Sequence, residues 1–468
     1  MPSEQGKNVI DKLNSLGKRS EILGDKLRQL VSSYENLSTS QEQYQALLRE
    51  FGLEDEVRRS QKDVKRYKMV TLLYIVVYGF SELAQRQDAS AQMDKFDEII
   101  LMIQDIASKY HLIKIPSVGD NMLLAGGIEK DNKTNPIDAT LAAIEIMEMM
   151  HNIKRQDPSM IWEVGMGLHT GPVIGRFAPN KRTPYTLSGS NVLTATRLGF
   201  AAFRGHISMS PMTYELTKEF FDVRRCGKIP VKYSGVMDMF NLEGINEDLM
   251  NEDGGDKLYN EEFELNYQRL QFMDIQEHIL DMLEEKLPKN LYYHNVKHTI
   301  DVTTEVELIG WAEGVPERQI LLLKVAGLFH DSGHIIKYKG HEEESCNFAQ
   351  EILPQYNYSQ EQIDEIKRII MATQLPHTPN DILEAIIQDS DLDYLGRGDF
   401  IPVSNMLYQE LVERNAANDI DKWNEMQIKF ISGHQYYTKT AASLREVNKQ
   451  EQIERLKAQL GKGELLQL

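Results

Sequence analysis

The apolar positions of this chain follow three rhythms in succession. In the first, Leu13, Leu16, Ser20, Leu23, Leu27, Leu30, Tyr34 and Leu37 recur in alternating three- and four-residue steps, with Lys, Arg, Glu and Gln between them. The spacing predicts a helical segment over residues 1–66 with one apolar seam, open to two arrangements: a coiled coil, or an amphipathic helix packed on its own domain. Gly17 and Gly24 weaken the seam, each by about 1 kcal/mol of helix propensity.

The second rhythm, over residues 67–245, alternates strands and helices. Val70–Val77 is a β-rich run, and Asp88–Tyr110 reads as a helix with Phe96, Ile99, Ile100, Ile103 and Ile106 on one side. Leu112–Val118 and Asn121–Ala125 flank Gly119-Asp120, a two-residue turn signal for a hairpin. A helix over Pro136–Ile153 opens with Pro in its first turn, and a strand follows at Trp162–His169. The expected fold is an α+β sandwich. Residues 246–265, acidic and holding Gly254-Gly255, read as a linker. Residues 266–447 then keep a 3.6-residue period, predicting an all-α domain, and residues 448–468 read as an exposed helix or a frayed tail.

Composition narrows the function. A net charge of −19 and a pI near 5.2 argue against broad nucleic-acid binding, which needs a basic footprint. Two cysteines, Cys226 and Cys346, without metal-site spacing, suit a reducing compartment. The longest apolar run, Met69–Tyr78, is too short to span a bilayer, and the first residues lack the order of a signal peptide. The expectation is a soluble, cytoplasmic protein without a membrane partner.

Candidate chemistry concentrates in four segments of the all-α region: YYHNVKHT with His294 and His298, LFHDSGH with His330, Asp331 and His334, KGHEEE with His341, and QDSDLDYLG with Asp389, Asp391 and Asp393. The four-residue step from His294 to His298 predicts two imidazoles on one helix face. With His377, six of the 12 histidines fall within 84 residues, too dense for unrelated surface positions. A mixed imidazole and carboxylate set suits Zn, Mn or Fe, and also Mg where carboxylates and water dominate. One or two such ions would polarise a phosphoryl oxygen and activate water.

These segments resemble the HD superfamily of metal-dependent phosphohydrolases over Leu270–Arg445. The resemblance implies metal ligation by His298, His330, Asp331 and Asp391, with Asp391 chosen over Asp389 on the family's pattern. It leaves His334, Asp389 and Asp393 behind the ligands, and His341 and His377 as candidates for a second ion or for phosphate. YHNVKH and HDSGH are also similar to the HNxxH and HDxxH motifs of cyclic-nucleotide phosphodiesterases. That similarity gives His294 the role of proton donor to the leaving oxygen, with Asp331 holding the attacking water. The IIKYKG that follows HDSGH departs from that family's Gly and Asn positions.

The middle region resembles the class III adenylate/guanylate cyclase domain through VTLLYIVVYGFSEL, SVGDNML, VGMGLHTGPVIG, RTPYTLSGSNVLTATRL, GHISMSPMTY and VKYSGVMDMF. On the family's motif the first metal aspartate falls on Val76 and the second is kept as Asp120. The transition-state asparagine falls on Leu193 while the arginine one turn later is kept as Arg197. The base-selecting pair falls on Pro116 and Thr186. Lys232 is kept and Ser234 replaces a second lysine. The resemblance therefore implies a pseudo-cyclase that dimerises the chain, with a nucleotide effector held by Asp120, Arg197 and Lys232, or a scaffold without ligand. The combined expectation is a homodimeric phosphodiesterase acting on a nucleotide, best a 3′,5′-cyclic nucleotide, under control of the cyclase-like domain. Two alternatives stay open: a non-catalytic nucleotide-sensing module, and a bifunctional cyclase and phosphodiesterase.

Overall fold

The computed structural model describes residues 64–117, 120–177, 184–231, 235–251 and 258–462. The seam expected in the first segment lies outside the described residues, as do Gly119 and Lys232. The chain divides into two compact units, one running to Gly244 and the other from Ile245, the second also taking in Asn132–Thr134.

The first unit is built on an eight-stranded mixed sheet. Its strands are β1 (Val64–Tyr78), β2 (Ile113–Ile115), β3 (Met122–Gly126), β4 (Glu163–Phe177), β5 (Pro184–Ser188), β6 (Ile207–Met209), β7 (Phe221–Val231) and β8 (Gly235–Ile245). They run in the order β2-β3-β1-β4-β6-β8-β7, with β5 beside β4. The helices are α1 (Phe80–Leu83), α2 (Ala89–Lys109), α3 (Asn135–Gln156), α4 (Ser190–Ala201) and α5 (Pro211–Thr217). Residues Val70–Val76 are buried without a break. An unbroken apolar run is what a strand covered on both faces requires. On one face Leu72, Tyr74 and Val76 join a core with Ala195 of α4. On the other, Thr71 donates its hydroxyl to Asn135 Oδ1 of α3 at 2.6 Å.

The expected hairpin is present as β2 and β3, paired Ile113 with Ala125. β2 ends at Ile115, just before Pro116, whose nitrogen has no N–H for the ladder, and β3 begins at Met122; Gly119 of the expected turn lies outside the described residues.

The second unit is helical apart from a bridge between Met250 and Tyr259. Its helices are α6 (Glu261–Lys286), α7 (Val296–Ala312), α8 (Glu317–Phe329), α9 (His341–Ile352), α10 (Gln360–Met371), α11 (Ile382–Asp391), α12 (Phe400–Glu413), α13 (Ile420–Gly433) and α14 (Lys439–Lys457). Ile320–Leu323 and Val325–Phe329 of α8 are buried. A helix apolar all round occupies the centre of its domain, and α8 packs in the core with Ile275, Val306, Ile366 and Ile386. A second cluster gathers Tyr293, Tyr394, Leu395, Phe400, Ile431, Ile453 and Leu456.

Two expectations need correction here. Part of the stretch read as a linker is the start of α6: Asn260 caps the backbone N–H groups of Glu262 and Phe263, and Glu261, Glu262 and Glu264 fill the first turn. Acidic side chains there stabilise a helix by meeting the positive end of its dipole. The stretch read as an exposed helix or a frayed tail is helical over its first ten residues, 448–457, as the end of α14, and it is not wholly exposed: Ile453 and Leu456 are 4% and 2% exposed because they close the second cluster. Among the described residues no helix is long and apolar enough to cross a membrane.

Candidate metal centre

Asn295 decides where α7 begins. Its side chain accepts the backbone N–H groups of Lys297 and His298 at 2.8 and 3.2 Å, so the helix starts at Val296. His294 therefore precedes the helix, and the two imidazoles do not share one helical face as the spacing predicted. They still approach, with ring centroids 6.0 Å apart.

His330 caps the C-terminal end of α8, and Asp391 is the last residue of α11. His298 Nε2 and His330 Nε2 lie 3.3 Å apart. Asp391 Oδ1 is 3.1 Å from the first and 3.5 Å from the second, and Asp331 Oδ2 is 3.4 and 3.3 Å from them. His330 Nδ1 meets the carbonyl of Gly327 at 2.8 Å, which places the N–H there and leaves Nε2 its lone pair. Two imidazole nitrogens and two carboxylate oxygens thus converge on one point. Asp331 Oδ2 is buried and has no hydrogen-bond partner. Such a donor set is repulsive unless a proton or a cation lies between its members.

The other oxygen of Asp331 faces a second group. His341 Nε2 is 3.1 Å from Oδ1 and His334 Nε2 is 3.9 Å from it. His341 Nδ1 gives its N–H to the carbonyl of Tyr338 at 3.0 Å, so again the lone pair points at the carboxylate. Both nitrogens of the buried His334 lack partners, and burial pushes its pKa down to about 3, leaving a neutral imidazole able to ligate. Ligand atoms of His294, Asp331 and His334 also lie within 4.8 Å of one another. Burial disfavours charge on His298 and His330, yet the adjoining carboxylates outweigh it and raise both pKa values. Asp331 and Asp391, which burial would raise, are held below the ordinary carboxylate range by the same imidazoles. The residues present fit divalent metal, in the groups His294–Asp331–His334 and His298–His330–Asp391.

Of the remaining candidates, Asp389 is turned away from the cage: it accepts the backbone N–H groups of Tyr437 and Thr438 and the Thr438 hydroxyl, at 2.7–3.1 Å, tying α11 to the start of α14. Asp393 pairs with Arg445 at 2.6 Å, and a Cβ on Gly396 would overlap Arg445. The DSDLDYLG and TAASLR stretches thus hold each other in place. His377 stands apart from the cage, with Nε2 2.9 Å from Glu384. Gly333 of HDSGH packs where a Cβ would overlap the carbonyl of His341.

Sequence reasoning missed Glu410. It lies on α12, is fully buried, and accepts His294 Nδ1 at 2.6 Å together with the backbone N–H groups of Tyr293 and His294. Burial would raise its carboxyl, but these donors hold it below the ordinary value. A lone acid on a partly apolar helix, over 100 residues from the motif it serves, carries no spacing signal. A cavity of about 390 Å³ opens from His294, Asp331, His341 and Asp391 towards Leu375, Trp423, Met426 and Phe430. Glu342 joins its polar end.

In the first unit, Val76 is buried against Gly199 of α4, and Asp120 is exposed just before β3. On α4, Leu193 is 47% exposed, and Arg197 is exposed with its guanidinium on the carbonyl of Pro230.

Residues 62–244 match the family described as the adenylate and guanylate cyclase catalytic domain, and residues 295–393 match the HD domain family. The chain is 26% identical over 155 residues to guanylate cyclase soluble subunit alpha-1 of Bos taurus, covering 33% of this chain and 22% of that protein. It is 25% identical over 248 residues to retinal guanylyl cyclase 2 of Rattus norvegicus, covering 51% of this chain and 22% of that protein. The chain thus spans about a fifth of the length of these relatives. Among solved structures, the adenylyl cyclase CyaB from P. aeruginosa matches at 27% identity and a TM-score of 0.36, over 40% of this chain and 98% of that one. The chain therefore joins a domain of the adenylate and guanylate cyclase catalytic family to an HD domain.

Proposed function

We propose that the second unit is a metal-dependent phosphodiesterase acting on a nucleotide, with a 3′,5′-cyclic nucleotide as its preferred substrate. The observation that carries this reading is the two-sided carboxylate of Asp331, with Oδ2 facing His298 and His330 and Oδ1 facing His341. Cations bound there by His298, His330, Asp331, Asp391 and His341 would polarise the phosphoryl group and activate water. His294, paired through Nδ1 to the buried Glu410, presents its other nitrogen as a proton donor to the departing ribose oxygen. The cavity favours a single phosphate over a triphosphate: among its lining residues none is Lys or Arg, while Trp423, Met426 and Phe430 offer apolar surface to a base.

The test is hydrolysis of cyclic AMP, cyclic GMP and bis(p-nitrophenyl) phosphate by the full chain with Mn or Mg. Metal-dependent turnover of a cyclic nucleotide is expected. Absence of metal-dependent turnover on every phosphate ester contradicts the reading.

For the first unit the reading is a pseudo-cyclase that dimerises the chain and regulates the second unit through a bound nucleotide. Val76 offers no oxygen to a metal, and Leu193 no hydrogen bond to a transition state, whereas Asp120 and Arg197 remain exposed. A nucleotide that regulates must bind the active and inactive states unequally. A thermal-shift series with nucleotides, on wild type and Arg197→Ala, tests this. Stabilisation that the variant loses is expected, and no shift with any nucleotide favours a scaffold without ligand.

A further inference from the structure

Among the described residues that line the cavity, three carry a buried polar atom without a hydrogen-bond partner: Asp331 Oδ2, Glu342 Oε2 and the indole Nε1 of Trp423. Asp331 belongs to the cage, and Trp423 stands at the apolar end. Glu342 belongs to neither. It lies in the first turn of α9, directly after His341, and is 8% exposed. Its Oε2 is 3.8 Å from His341 Nδ1, but that N–H is already given to the carbonyl of Tyr338 at 3.0 Å. Neither group of residues able to hold metal includes it, and no Lys or Arg among the lining residues offsets its charge. A buried oxygen left unpaired is costly, so a donor brought by the ligand gains more there than at a hydrated surface.

A carboxylate accepts hydrogen bonds and offers none. It repels a phosphoryl oxygen, so its partner on a nucleotide must be a hydroxyl or an amino group. With the phosphate at the cage and the base towards Trp423, Met426 and Phe430, the sugar lies beside the polar end that Glu342 lines. In a 3′,5′-cyclic nucleotide that sugar has a single free hydroxyl, the 2′-OH, on the carbon next to the one bearing the 3′ ester oxygen. His294, the donor to the departing oxygen, has its ring centroid 6.4 Å from that of His341, the neighbour of Glu342. The proton donor and Glu342 thus flank one stretch of the cavity. We propose that Glu342 is a specificity-determining residue, accepting the substrate 2′-hydroxyl so that the site selects ribose over 2′-deoxyribose. The inference rests on the phosphodiesterase reading. A site built to bond a hydroxyl rejects the analogue lacking it, because its own polar group is then left unpaired.

The experiment measures kcat/KM on cyclic AMP and cyclic GMP and on their 2′-deoxy counterparts, with Mn content determined on the same samples. It compares wild type, Glu342→Ala and Glu342→Gln, all as full chains loaded with Mn. Wild type is expected to favour the ribonucleotides by about 10–100-fold. Glu342→Ala should bring that preference to within about threefold, through loss on the ribonucleotides alone and with Mn content unchanged. Glu342→Gln keeps the shape and a neutral carbonyl acceptor, and should retain part of the preference. A wild type that turns over both sugars equally, or a preference that Glu342→Ala leaves intact, overturns the ribose role alone. So does a Glu342→Ala variant that loses ribo and deoxy substrates equally or sheds Mn, since Glu342 would then serve water or metal. A wild type inert on all four nucleotides overturns the cyclic-nucleotide reading and this role with it.

Discussion

The Nε2 atoms of His298 and His330 face each other at 3.3 Å, each also within 3.5 Å of carboxylate oxygens from Asp331 and Asp391. Three segments of the helical unit are folded so that their lone pairs meet. Without a cation the adjoining carboxylates raise the affinity of both imidazoles for a proton. Protons and metal therefore compete for one place.

The first prediction follows from that competition. Chelation should lower the melting temperature of the full chain by several degrees, and Mn should restore it in proportion to its concentration, since a ligand that binds only the folded state stabilises it by mass action. Differential scanning fluorimetry with and without EDTA checks this. A melting temperature indifferent to both would argue that the cage holds no ion.

Asp389 and Asp391, two residues apart, should behave oppositely. Asp389→Ala removes a buried acceptor of two backbone N–H groups and a hydroxyl, and should cost about 3 kcal/mol of stability. Asp391→Ala should lose metal, read by elemental analysis, with a smaller loss of stability. If Asp389→Ala sheds metal and Asp391→Ala keeps it, the assignment of the cage carboxylate is wrong.

Gly333 is a packing requirement of HDSGH. A methyl group there collides with the carbonyl of His341, so Gly333→Ala should shift α9 and cost roughly 1–3 kcal/mol. Because His341 moves with the helix, the variant should also bind Mn more weakly by titration calorimetry. An unchanged affinity would mean that His341 takes no part in holding metal.

His434 gives a pH dependence away from the cage. Its Nδ1 is buried without a partner, and burial, with Lys449 adding to it, pushes its pKa down from 6.5 to about 4. The unfolded chain takes up a proton below about pH 6.5, the folded chain only near pH 4. Its stabilising contribution is therefore complete above the first value and is lost as pH falls to the second. His434→Leu should show a smaller drop in melting temperature than wild type between about pH 7.5 and about pH 5. Equal drops would show that His434 does not carry this dependence.

What the sequence revealed and what it hid have physical causes. The convergence of His298, His330, Asp331 and Asp391 was expected from motifs near helix ends: His330 and Asp331 follow the apolar α8, Asp391 closes α11, and His298 lies in the first turn of α7. β1 and α2 were legible from period alone. His294 was misplaced because Asn295 caps α7 one residue later than the four-residue step implied. The acidic start of α6 looked like linker because the same residues that solvate a loop also favour a helix N-terminus. In α14, Ile453 and Leu456 are too sparse to mark a buried helix; they are buried because Leu395 and Phe400 need a cover from far along the chain. Glu410 meets His294 only through tertiary contact, which no local pattern encodes.

The most direct measurement is hydrolysis of cyclic AMP and cyclic GMP, with Mn content determined on the same samples, for wild type and Asp331→Ala. Because one carboxylate serves both imidazole groups, the single change should remove bound Mn from both positions and lower kcat by about 10²–10³-fold or more. Full Mn content and turnover in Asp331→Ala, or no metal-dependent turnover by the wild type, would contradict a catalytic centre built on Asp331.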